Sequence, residues 1–407
     1  MTTGGDLLDE AKTPAATAAP ARVRARRRAR ARTVFGRLVH VAVVLLLVSF
    51  VTSLLLVLVP GDPAITVAGT DATPAEIAQV RDELGLDQPP LARYGQWISD
   101  VVRGDFGTSL FPPRQSVTEA ILSRLPVTIE LTLVAIGLAL LMAVPLAMLC
   151  ALRPGGRIDR VVGNIASAAI SIPSFLGALL LIFLFVFRPE LVRTVLLAGA
   201  VAIAAWVAWS ALRRARTEMA EDRRGTLARA ALVAAAVLLA GALLYAFWPE
   251  LPRQGFVRWT DPEGIGGNLR SIFLPALALA LPEGAVFLRV LRSDMIGTLR
   301  EDFVLAARAK GMSTRHILLR EVLRPSSFSL ITVAGVSLGR LFGGAVVVEA
   351  IFRLPGMGTL VVQGVTNKDF PVVQGAVLVL ATIYIGLNLL IDATYAYLDP
   401  RIRRVRR

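Results

Sequence analysis

The sequence predicts an all-α fold, a polytopic bundle of transmembrane helices. Three observations predict it. Hydrophobic residues make up 55% of the chain and the mean hydropathy is +0.63. Several apolar runs reach the roughly 20 residues needed to cross a hydrocarbon core about 30 Å thick. The basic residues gather in short segments beside those runs. A net charge of +14 would also suit a nucleic-acid binder. No basic face studded with aromatics occurs, however, and positive-inside orientation accounts for the charge, so nucleic acid is not an expected partner.

Taken in order, residues 1–33 are rich in Ala, Arg, Thr and Pro and carry RVRARRRARAR at 22–32. With little to bury, they read as a disordered basic cytoplasmic tail. The first apolar run, 38–59, is longer than the core of a secretory leader and reads as an anchor, held N-terminus-inside by Arg37 and the arginines before it. Residues 60–126 are the one large external segment. Pro60 and Pro63 stop the first span. Thr73 and Glu76 form a capping pair for a surface helix whose Ile77, Val80 and Leu84 share a face, and Tyr94 and Trp97 on a second helix suit the membrane interface.

Seven more runs come after it, at about 127–151, 161–187, 191–212, 227–248, 271–292, 326–348 and 371–397. The pair within 188–250 reads as two spans joined by a charged cytoplasmic turn, with a re-entrant or surface-lying hairpin as the alternative. Eight spans place 1–37, 152–160, 213–226, 293–325 and 398–407 on one side. With Arg229, Arg289 and Arg292 at adjacent span ends, those segments hold 31 of the 44 basic residues. An even count also puts the short 404–407 tail inside with the N-terminus. Pro145, Pro173, Pro275 and Pro282 are expected to kink or break their helices, and Gly335, Gly339, Gly343 and Gly344 to bring neighbouring helices close.

The residues that could carry chemistry are few. Cys150 is the single cysteine, which excludes an internal disulfide and a Cys-rich metal site. His40 and His316 stand in separate segments without partner ligands. None of the three lysines, Lys12, Lys310 and Lys368, follows a glycine, so no phosphate-cradling GxxxxGK loop is present. No catalytic residue, cofactor or metal site is therefore expected on this chain. Glu283, Arg340 and Glu349 are costly in lipid and must face protein or water; they either line a translocation path or pair structurally.

The cytoplasmic loop 293–325 is the most informative segment. Asp302 to Lys310 has the length of two helical turns, with Glu301 and Asp302 at its positive end and Arg308 and Lys310 at its other end. Gly311 supplies a turn, and Ser313 or Thr314 can cap a second short helix after it. Pro325 marks the return to the membrane. Ala306, Ala307 and Gly311 permit close backbone approach. Phe303, Met312 and Ile317 suit a shallow hydrophobic cleft on a partner, and Arg308, Lys310, Arg315, Arg320 and Arg324 suit an acidic rim. The alternative is a basic loop lying on anionic lipid.

The stretch VLAARAKGMSTRHILLREVLRPS at 304–326 resembles the EAA-type coupling loop of permease subunits of binding-protein-dependent ABC importers. It is most similar to the dipeptide, oligopeptide and nickel permease family, first-subunit type. Further family-like pieces run in order: LVPGDPA at 58–64, ELGLDQPPLARYGQWI at 83–98, GDFGTSL at 104–110 and RLPVTIELTL at 124–133. Beyond them stand FLPALALALP at 273–282, GGAVVVEAIFRLPGMGTLV at 343–361, DFPVVQGAVLVLA at 369–381 and DATYAYLDPRIR at 392–403. The resemblance covers nearly all of 34–403 except the inserted 188–250. The motif's glutamate position is Leu305 here, a departure that shifts expected polar contacts to Asp302 or the arginines.

The resemblance implies a type I ABC importer permease fold of six spans plus the inserted pair, in a bacterial inner membrane with both termini cytoplasmic. It implies import driven by ATP and Mg on two partner ATPase subunits. A homologous second permease subunit would complete the pathway, and an extracytoplasmic solute-binding protein would deliver a di- or oligopeptide. Nickel-chelate or other small-solute import is the alternative within the family. An ion-coupled secondary transporter would need mid-bilayer ion-coupling groups and inverted repeats, neither of which is visible.

Overall fold

A computed structural model describes residues 18–58, 62–69, 71–83, 85–111, 114–216 and 220–398. It divides into a unit of residues 1–59 and a unit of residues 60–407. The first unit contains helix α1 (Ala18–Leu58), of which Phe35–Leu56 is apolar enough to span, with mean hydropathy 2.6. Residues 18–33, expected as disordered tail, continue this helix toward the N-terminus. Ala and Arg are strong helix formers, and the apolar span supplies the nucleus from which they propagate. Residues 1–17 of that expected tail, the 404–407 tail, Pro60 and Leu84 lie outside the described residues.

In the second unit, short helices α2 (Pro63–Ala68), α3 (Pro74–Glu83) and α4 (Pro90–Val102) form the segment expected to be external. The Thr73–Glu76 box closes as the spacing required. Glu76 Oε2 accepts from the Thr73 amide at 2.7 Å, and Thr73 Oγ1 accepts from the Glu76 amide at 3.4 Å. Ile77 and Val80 are half-buried on one face. Trp97 on α4 donates to the carbonyl of Phe106 at 3.4 Å.

The bundle comes next. Helix α5 (Val117–Leu152) leads to α6 (Arg157–Ser171) and α7 (Ser174–Ile182), which ends in a π turn, Phe183–Phe187. Then come α8 (Pro189–Ala215), α9 (Ala220–Ala246) and α10 (Gly264–Thr298). The loop helix α11 (Asp302–Ala309) precedes α12 (Thr314–His316), a π turn (Ile317–Val322) and α13 (Leu323–Phe352). Helices α14 (Met357–Asn367) and α15 (Phe370–Leu398) complete the order. Apart from an isolated bridge between Thr108 and Ser116, the described regular structure is helical.

Among the described residues seven helices are long and apolar enough to span, and a bent helix pair makes eight if it is counted as one span. That pair holds the break expected at Pro173. The run 161–187 is not one straight helix: α6 and α7 meet at 105° where Pro173 interrupts them. Proline lacks the amide that would continue the ladder and biases Ile172 to its extended conformation. Pro145, Pro275 and Pro282 leave their helices continuous.

Contacts between chain-distant residues sort the turns into two ends. At one end Arg292 near the finish of α10 pairs with Asp159 at the start of α6, Nη2 to Oδ2 at 2.7 Å, and Thr298 meets Ser326 at 3.1 Å. At the other end the Gly255 amide bonds the Phe352 carbonyl at 3.0 Å, and the Leu110 amide bonds Asp369 at 3.3 Å. Arg253, beside Gly255, lies over the Phe187 ring, so the bent pair runs from one end to the other. The turns after α5, α10 and α11 thus share one end, and those before α5, before α10 and after α13 share the opposite one, as alternating spans require.

The core lies where α10 packs against α5, α13 and α6. Fully buried Leu131, Ile272, Phe287, Leu291 and Met295 fill it. Helices α8 and α9 pack chiefly on each other, with Ala200 so close to Gly241 that a Cβ there would approach to 2.6 Å. Gly335 and Gly339 are close-packed against Ile391 and Tyr384 of α15, as expected, whereas Gly343 and Gly344 face open space.

Candidate functional site

The loop between α10 and α13 is a helix–turn–helix seated on the bundle end. Helix α11 buries Val304 and Ala307 and leaves Asp302, Phe303, Leu305, Ala306 and Arg308 exposed. Gly311 then adopts a φ of +74°, in the left-handed region where a side chain would be strained. Ser313 caps the next helix by accepting the His316 amide at 3.3 Å. Met312 and Arg308 border a hollow of about 180 Å³ against Ala151, Leu152 and Leu299, at the ends of α5 and α10.

Two readings of the loop change. Ala307 and Ile317, expected at a partner's surface, are buried within this chain, so they hold the loop down instead. Pro325 does not begin the membrane helix, because helical structure runs unbroken from Thr314 to Phe352. The π turn Ile317–Val322 ends three residues before the proline. The wider turn opens the ladder where the ring would otherwise strike the carbonyl of Glu321.

Within the spans, Glu283 on α10 accepts from Arg340 Nη2 on α13 at 2.7 and 2.8 Å, and from Ser337 Oγ at 2.6 Å. The acid is buried and the arginine side chain is largely exposed. Glu349 is different. It is wholly buried, accepting from Thr128 Oγ1 on α5 at 2.6 Å and from the amides of Gly358 and Thr359 at 2.8 and 3.2 Å. These amides open α14, so the carboxylate serves as a remote cap for that helix. Of the three polar residues weighed for a pathway, Glu349 is therefore a structural tie, and Glu283 anchors Arg340.

The far end of α14 has its own tie, since Asp369 accepts from Ser109 Oγ and the Leu110 amide. Thr128, Ser337, Asp369 and the Asp159–Arg292 pair were not singled out by sequence. Threonine and serine within apolar runs look like filler, and partners 54 to 260 residues apart carry no spacing signal. The PGMG run was a usable sign: a Cβ on Gly356 or Gly358 would lie within 3 Å of the Glu349 carboxylate.

The family described as binding-protein-dependent transport system inner membrane component matches residues 143–404, and its N-terminal companion matches residues 31–132. A putative peptide transport system permease protein of Brucella abortus is 32% identical over 370 residues, covering 91% of this chain and 98% of that protein. The glutathione transport system permease protein GsiC of Salmonella choleraesuis is 31% identical, with the same coverage. The dipeptide transport system permease protein DppB of Alkalihalophilus pseudofirmus is 29% identical, over 90% of this chain and 98% of its own length. The bundle, its loop and these likenesses agree: the chain belongs to the binding-protein-dependent transport system inner membrane component family, as a permease subunit of the peptide-type ABC importer class.

Proposed function

We propose that this chain forms half of the translocation pathway of an ATP-driven importer of di- or oligopeptides in a bacterial inner membrane. A homologous permease subunit supplies the other half, two cytoplasmic ATPase subunits carry ATP and Mg, and an extracytoplasmic solute-binding protein delivers cargo. The peptide assignment is supported by the peptide and dipeptide transport systems to which the relatives belong by name.

The observation that carries the coupling role is the two-sided loop. One face, Val304, Ala307, Ile317 and Leu318, is buried against the bundle, while Asp302, Phe303, Ala306, Arg308, Lys310, Gly311 and Met312 remain exposed. An element gripped on its outer face and packed on its inner face transmits displacement to α10 and α13, to which it is joined by only a few residues. Packed helices switch between discrete arrangements, so ATPase closure below would bias the bundle above. The lipid-lying alternative would leave Phe303 and Met312 without a protein cleft.

The test uses the complete importer in vesicles. Gly311→Trp is expected to leave insertion and assembly of the permease pair intact while abolishing ATP-dependent uptake, because it imposes a bulky side chain at positive φ on the exposed turn. Unchanged uptake would sink the coupling assignment.

A further inference from the structure

We infer that Arg340 is a docking point for the carboxylate of the transported substrate, an inference that rests on the proposal that this chain carries peptides. Arg340 borders a groove of about 350 Å³ between α13, α14 and α15, with Gly339, Gly343, Val361, Leu380 and Tyr384 among its walls. It lies near the middle of α13, far from either end of the span.

The guanidinium is half used. All its hydrogen bonds run through Nη2, to both Glu283 oxygens at 2.7 and 2.8 Å and to Ser337 Oγ at 3.3 Å. Among the described residues Nε and Nη1 have no partner. The Arg340 side chain is 61% exposed, against 8% for Glu283. Glu283 and Ser337 therefore hold Nη2, while the side chain as a whole lines the groove and stays largely exposed. Nε and Nη1 each keep a donor that a carboxylate oxygen can take singly, while Nη2, the nitrogen common to both forked pairs of a guanidinium, stays with Glu283.

Three further features favour a ligand there. Unused guanidinium donors are costly against lipid tails, so they must face water, protein or cargo. The surrounding walls are otherwise apolar, and a single charged group in such a groove fixes the orientation of what binds. Gly343, one turn along from Gly339, leaves open backbone near Arg340, since a Cβ there would meet nothing within 4 Å. Glu283 also neutralises the net charge of the pair. The carboxylate would then be held by geometry at modest strength, as a site on a conduction path requires if its occupant is to leave.

The experiment uses the complete importer in proteoliposomes, supplied with di-, tri- and tetraalanine and their C-terminal amides. Peptide imported per ATP hydrolysed is the readout. Peptide binding to the free solute-binding protein takes place without the permease, so cargo loading is the same for every permease variant. Arg340→Gln is expected to lower import of the free acids per ATP by about tenfold, the loss of one charge-assisted contact, while the amides change less than twofold. Arg340→Lys should recover part of the acid import, and this rescue decides the matter if the wild type does not carry amides. The double variant Glu283→Gln/Arg340→Gln, which leaves no orphaned buried charge, should show the same acid-selective loss. Retained acid import, equal loss of acids and amides, absence of lysine rescue where amides are not carried, or separation of the permease pair in the double variant would each overturn the assignment. The last would place the arginine at the contact with the second permease. Failure of the wild type to import any peptide would overturn this inference together with the peptide reading, whereas import by the wild type with an unaffected Arg340→Gln would overturn this inference alone.

Discussion

Replacing Glu349 by alanine should detach the start of α14 from the bundle. The wild-type carboxylate is wholly buried and satisfies three donors: the Thr128 hydroxyl at 2.6 Å and the Gly358 and Thr359 amides at 2.8 and 3.2 Å. Alanine leaves two amides and a hydroxyl in a cavity. At about 1–3 kcal/mol for each unpaired buried group, reduced where water enters, the expected loss is about 3–5 kcal/mol. Glutamine should cost less, about 1–2 kcal/mol. Its oxygen can take the place that receives both amides, and its NH₂ can donate to Thr128 Oγ1, which already accepts the Met357 amide at 2.8 Å. Hydrogen exchange of the 354–362 segment in the detergent-solubilised importer, alongside thermal unfolding, measures the difference. Wild-type protection of Gly358 and Thr359 in Glu349→Ala would refute the capping argument.

Other changes should separate crowding, pairing and titration. In Gly358→Ala the new Cβ would lie 2.4 Å from the Val346 Cα, so a loss of about 3 kcal/mol or of membrane accumulation is expected. Gly137→Ala on α5, with nothing within 4 Å, should be neutral or slightly stabilising in the same thermal assay. Asp159→Asn should cost about 1–3 kcal/mol, since Asp159 is buried but Arg292 remains partly in solvent. Removing Arg292 as well should cost less than the sum of the two single changes. In the surface helix α3, bonds from the Thr73 amide and then its hydroxyl hold the Glu76 carboxyl below the usual 4.5. Its contribution to α3 is therefore complete above that value and fades as pH falls through the lowered folded value, which carboxyl NMR of Glu76 against amide protection of α3 can follow.

The helical class, a bundle of seven to eight spans and the loop's turn chemistry were legible because each is local. A span needs only a long apolar run, and the Thr73–Glu76 box and the Gly311 turn rely on neighbours within three or four residues. The bend at Pro173 was foreseen as a kink or a break, but its size was not, because a proline loses one ladder bond and its surroundings decide how far the helix turns. Pro173 gives way to 105°, while Pro145, Pro275 and Pro282 are carried within packed helices. Pro325 misled for a related reason: a π turn absorbs its ring, and nothing in ILLREV announces one.

By itself, the sequence determined an all-α membrane chain with a basic, exposed turn between two spans, since hydropathy, charge bias and glycine conformation act over short stretches. Only the tertiary structure decided what the intramembrane charges do. Glu283, Arg340 and Glu349 are equally costly in lipid, and their roles depend on which distant groups reach them. Ser337 and Arg340 meet one carboxylate beside an open groove, whereas Thr128 and the amides of α14 enclose the other. Hydrogen bonding is short-ranged and directional, so an acid's role is set by the few ångströms around its oxygens, which only the packing of helices far apart in the chain brings into being.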